Sequence, residues 1–163
     1  MPRWIITFLI SLLLVLLQTT VVHFVAIGSI VPDLLMIWIV ALAIHDGQIT
    51  ATTAGFLIGT VIDLLSGSDG MLGLSALSKT LAGFLAGYFY NENKTFQSLG
   101  TYRFILILVG VTLVHNLIYF IIFLQGSGIR WWGAALDYGI PSTIYTAAVG
   151  VLPMFVVARK YLS

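Results

Sequence analysis

The chain has 163 residues, 60% of them hydrophobic and 8% charged, with a formal net charge of +1 and no cysteine. An ordinary soluble domain is about a quarter charged and cannot hide this much apolar side chain, so most of the surroundings must be lipid. The charge balance offers no basic surface for nucleic acid, and without cysteine there is no disulfide, thiolate nucleophile or cysteine metal site.

Six apolar segments are predicted to be helices, at residues 4–22, 32–44, 49–65, 71–90, 103–124 and 138–158. Most contain enough residues, at 1.5 Å each, to cross a hydrocarbon core of about 30 Å. The expected architecture is therefore all-α, a single six-helix transmembrane domain over residues 1–163. In the first segment Arg3 precedes an apolar run that continues into Gln18-Thr19-Thr20 without a small-residue cleavage site, which reads as a retained span. His23 follows as an interfacial residue.

The second segment is short, and as a re-entrant piece it would leave five spans. Charge placement favours six. With six crossings and a cytoplasmic amino terminus, Arg3, Lys94, Arg103, Arg159 and Lys160 fall inside and only Arg130 falls in an outer loop. Five crossings would separate Arg3 from Arg159 and Lys160. Aromatic residues mark both borders, with Trp4, Tyr88, Tyr90, Tyr102 and Tyr161 inside and Trp131, Trp132 and Tyr138 outside. Asp33, after Pro32, is predicted to cap the second helix at its positive end. His45-Asp46-Gly47 reads as a tight inner turn.

Segments three and four carry small residues four apart: Ala51, Gly55 and Gly59, then Gly83 and Gly87. That spacing lets helix backbones approach closely where lipid supplies no hydrophobic drive, chiefly within the molecule and secondarily for a partner helix. Asp63 and Lys79 are charges inside the apolar segments, each costing about 2.5–3.5 kcal/mol or more if unpaired at mid-membrane. They are expected to pair with each other and staple helices three and four. Ser66-Gly67-Ser68-Asp69-Gly70 joins the two segments as a capped turn.

Segment five places Thr112, His115, Asn116 and Tyr119 on one face, which must look inward. His115 reads as a satisfied interior histidine, since no second histidine stands at the spacing a metal site needs. The loop 125–137, with Trp131 and Trp132, is expected to rest in the outer interface. Asp137 is expected to cap segment six, Pro141 to lie in its first turn, and Pro153 to kink it. No phosphate loop, nucleophile elbow or zinc motif occurs, so no catalytic, cofactor or metal residue is assigned and an enzyme is not expected.

The stretches Gln18-Thr19-Thr20, Pro32-Asp33-Leu34-Leu35, Gly55-Phe56-Leu57-Ile58-Gly59 through Asp63-Leu64-Leu65-Ser66-Gly67, and Gly73-Leu74 with Ala76-Leu77-Ser78-Lys79-Thr80-Leu81-Ala82-Gly83 resemble the bacterial rod shape-determining MreD family. The match in order and spacing covers roughly the first ninety residues, and the remainder agrees in length and hydropathy. The resemblance implies a non-catalytic, multi-pass protein of the bacterial inner membrane with both termini cytoplasmic. It implies an MreC-type single-span partner and, less directly, actin-like MreB and the wall-synthesising glycosyltransferase and transpeptidase. It also implies a fold similar to the six-helix substrate-binding (S) component of energy-coupling-factor transporters. That likeness supplies a second expectation, a small-molecule uptake component using Asp63, Lys79, His115 and Asn116. The structural or partner-binding candidates are therefore Asp33, Asp63, Lys79, His115 and Asn116 with Gly55, Gly59, Gly83 and Gly87.

Overall fold

A computed structural model of the chain describes residues 3–66, 71–125 and 128–161. It is helical almost throughout: α1 (Arg3–Thr20), α2 (Leu34–Asp46), α3 (Gln48–Leu65), α4 (Leu74–Gly87), a short α5 (Thr95–Leu99), α6 (Tyr102–Phe123), a one-turn α7 (Trp131–Ala134) and α8 (Ile140–Tyr161). A π-helical turn, Ala135–Gly139, joins α7 to α8 without a break. Among the described residues three helices are long and apolar enough to cross a membrane: α3, α6 and the continuous Trp131–Tyr161. Two shorter apolar helices, α1 and α2, accompany them. Residues 67–70 of the predicted turn and the side chain of His23 lie outside what is described.

α2 is the centre of the molecule. Eight of its 13 residues are buried; Met36, Val40, Ala43 and Ile44 pack with Ala82, Ala86, Phe104, Leu108 and Val111, and Ile39 packs with Val15 and Ile58. A helix apolar on every side belongs in such a position. Its ends are sharply defined. Pro32 disfavours helical backbone at the residue before it, Asp33 Oδ1 accepts from Met36 N at 3.0 Å, and Gly47 stops the helix with φ of +91°. Only glycine adopts that backbone without strain, which lets α3 start one residue later.

α3 and α4 form a hairpin with their backbones in contact. A Cβ on Gly55 would meet the Lys79 carbonyl; on Gly59, Ala76; on Gly83, Ala51; and on Gly87, Gln48. Each helix presents its glycines to the other's main chain, so in this chain the small-residue faces are occupied by the hairpin itself.

Segment six begins earlier than predicted. The interfacial piece expected around Trp131 and Trp132 is the first turn of a helix running to Tyr161, and Asp137 lies in the π turn instead of capping anything. Pro141 is thus well inside the helical run. In a regular α-helix its ring would press on the carbonyl four residues back, and the wider π turn immediately before it relieves that conflict. The helix also continues through Pro153.

Candidate functional site, a buried polar cluster

The polar residues of the interior gather where α2 begins. Lys79, in the second turn of α4, donates from Nζ to Asp33 Oδ2 at 2.7 Å, and its side chain is only 6% exposed. The expected Asp63–Lys79 pair is therefore corrected to Asp33–Lys79. Asp63 is engaged elsewhere, its carboxylate accepting from Gly73 N, Ser75 N and Ala76 N, all at 3.0 Å. Gly73, the residue capping α4, has no side chain to offer, and its left-handed φ of +94° turns the chain into the helix. Asp63 supplies from α3 the cap that α4 lacks, with a negative charge at the helix's positive end.

His115 approaches the same pair from α6, with Nε2 4.0 Å from Asp33 Oδ2 and a side chain 7% exposed. Its Nδ1 and the Thr112 hydroxyl, one turn earlier, are buried without a hydrogen-bond partner among the described residues. The histidine is interior, as its face predicted, with its Nε2 toward the Asp33 carboxylate. Asn116 is half-buried and turned to the π turn, donating from Nδ2 to the Gly139 carbonyl and to Thr143 Oγ1, both at 3.0 Å. Thr143 Oγ1 donates to the same carbonyl at 2.8 Å. A π turn frees such carbonyls from the regular ladder, and these two side chains satisfy it.

The fourth wall is α8, predicted from the sequence as a helix but not for its polar face. Its Thr146 Oγ1 accepts from Asp33 N at 2.9 Å, Ser142 donates to the Val31 carbonyl at 3.0 Å, and the Tyr145 hydroxyl donates to the Val25 carbonyl at 2.7 Å. From α1, Gln18 holds both sides of Asp33: its Nε2 donates to Pro32 O at 3.1 Å and its Oε1 accepts from Leu34 N at 2.9 Å. The irregular stretch from Val21 to Asp33 thus adds hydrogen bonds from protein side chains to the few it makes within the backbone, such as those between Ile27 and Ile30. Non-helical backbone at membrane depth needs such partners. The signal for Ser142, Tyr145 and Thr146 is present in the sequence as an i, i+3, i+4 polar face in an apolar helix, the same pattern that singles out α6.

Chemically this is a lock. One carboxylate is shared by a lysine, a helix N-terminus and a nearby histidine, and four helices besides α2 converge on the segment that carries it. Among the described residues no three His, Asp or Glu side chains gather as metal ligands would. Gly55 lies against the main chain of Lys79 itself, so the tight α3–α4 packing sets the register that carries Lys79 to Asp33.

The family described as rod shape-determining protein MreD matches residues 1–162. The chain belongs to the MreD family. It is accordingly a rod shape-determining membrane protein, from a structural family and not one known for enzymes. No curated protein and no solved structure matches the chain. Membership in MreD does not favour the uptake expectation. In this MreD chain the residues that motivated that expectation are engaged internally: Lys79 with Asp33, Asp63 with the start of α4, and Asn116 with the π turn.

Proposed function

We propose that the protein is a non-catalytic scaffold of the cell-elongation machinery in the bacterial inner membrane, and that it holds an MreC-type single-span protein. Through that partner it connects with MreB-type filaments and the wall-synthesising glycosyltransferase and transpeptidase. The observation carrying this reading is the MreD match over nearly the whole chain, because that family is part of a shape system in which an MreC-type protein is the plausible neighbour. The engagement of the interior charges in fold-holding contacts supports a scaffold over a carrier.

The same proposal includes six crossings, both termini in the cytoplasm, and a fold like that of the transporter S component. In its favour, Phe96 stacks on Tyr161 at 4.0 Å and meets His45 edge-on at 5.8 Å. This brings the ends of α2 and α8 to one border with α5, as four passes by α3, α4, α6 and α8 require. Depleting the protein in its host should round or widen rod-shaped cells. Unchanged shape together with unchanged wall-synthesis complexes would overturn the proposal. In membrane pull-downs Lys79→Ala should reduce partner recovery more than Lys94→Ala, whereas equal recovery would deny Lys79 a special part.

A further inference from the structure

α1 is the least embedded of the apolar helices. Of its described side chains only Val15 belongs to the buried core, while Trp4, Phe8, Leu9, Leu13 and Leu16 are exposed. Between α1 and α3 runs a groove of about 850 Å³. One wall is the α1 stripe from Trp4 to Val15 and the other the α3 stripe from Ile49 to Val61, each at helical spacing. At 1.5 Å per residue these walls are about 16–18 Å long, roughly three turns of helix. Val15 and Ile58, both 3% exposed, form the floor, and the Ser11 hydroxyl accepts from Trp38 Nε1 at 2.9 Å, tying α1 to α2.

Three features make this groove suited to a protein helix. Its walls carry small residues four apart, Thr7 with Ser11 on α1 and Thr50 with Ala54 on α3, which allow close backbone approach. The glycine face of α3 is already occupied by α4, so the groove is the second packing face of that helix. Among the described side chains that line it, the charge is a carboxylate, Asp46, exposed and accompanied by His45 at 2.8 Å. A single-span helix enters the cytoplasm with lysine or arginine at its border. Asp46 offers that cation a counter-charge at the level where it emerges.

We infer that the α1–α3 groove seats the transmembrane helix of a single-span partner, with a basic residue at the inner end of that helix paired to Asp46. This rests on the scaffold reading above and adds the place and the polarity of the contact.

The test uses the full chain co-expressed with its MreC-type partner, and a photo-crosslinking amino acid introduced at Leu57 in the groove or at Leu106 on the exposed face of α6. Adducts with the partner are expected from position 57 and not from position 106. Asp46→Lys should lower partner recovery roughly two- to fivefold, the range of an exposed ion pair, and Asp46→Asn should lower it less. Recovery should return when the partner's inner-end basic residue is changed to aspartate in the Asp46→Lys background. Adducts with lipid only, or with a second copy of this chain, overturn the inference. Adducts from 106 but not 57, with the partner still co-purifying, overturn the location and leave the scaffold reading intact. Loss of co-purification of the unmodified chain with the partner overturns both.

Discussion

At the scale of single residues, Asp33 bears the most. It caps α2, neutralises Lys79, approaches His115 and donates its backbone N–H to Thr146. A buried ion pair adds little net stability over a hydrophobic replacement, but removing one member strands the other at a cost of about 3–5 kcal/mol. Lys79→Met alone should therefore destabilise strongly, and Asp33→Asn with Lys79→Met should lose much less than the sum of the single changes. Asparagine keeps the capping oxygen, so the double variant retains the start of α2. Unfolding midpoints in detergent check this, and additive losses would mean the pair is not coupled. Asp63 gives a separate expectation. Asp63→Ala removes the acceptor for three amides at the start of α4 and should cost about 2 kcal/mol, the upper end for a lost cap, with Asp63→Asn intermediate. If the aspartate instead served a pair with Lys79, the asparagine variant would be as damaging as the alanine.

Between elements, the α3–α4 hairpin is held at backbone distance, and here the glycines divide into two kinds. Gly55→Ala and Gly83→Ala each put a methyl group into the main chain of the neighbouring helix, where overpacking costs about 1–3 kcal/mol. Gly110, on α6, faces open space, so Gly110→Ala should be neutral or stabilising by about 0.5–1 kcal/mol. Melting temperatures in the same detergent separate the two, and equal effects would mean the hairpin can move apart freely. The small-residue spacing was legible because close packing leaves a periodic mark on one helix. The partner of Lys79 was not, because hydropathy places Asp33 and Asp63 near the same border and says nothing of which carboxylate the lysine side chain reaches. The start of segment six was missed for another reason. Trp131, Trp132 and Asp137 read as interfacial loop and cap, whereas the π turn ahead of Pro141 joins them into one helical run.

For the whole molecule, the six-span topology proposed above asks α2, 13 residues and so about 20 Å long, to take part in crossing a core of about 30 Å. The stretch from Val21 to Asp33 provides the difference. It carries a 3-10 turn at Val22–Val25 and a bridge between Ile27 and Ile30, and side chains from α1 and α8 satisfy its backbone. In the proposed six-span topology irregular backbone and short helix together make one pass, with the polar cluster at their junction shielded by protein on several sides. His45 should then lie across the membrane from Ile27 and Ile129. The chain has no cysteine, so single cysteines can be introduced into an otherwise silent background. Cysteines replacing Ile27 and Ile129 should react with a membrane-impermeant maleimide in intact spheroplasts, and those replacing Asn93 and Lys160 only after lysis. If the second segment were re-entrant, position 27 and position 129 would report opposite sides, because the number of passes between them would change from four to three.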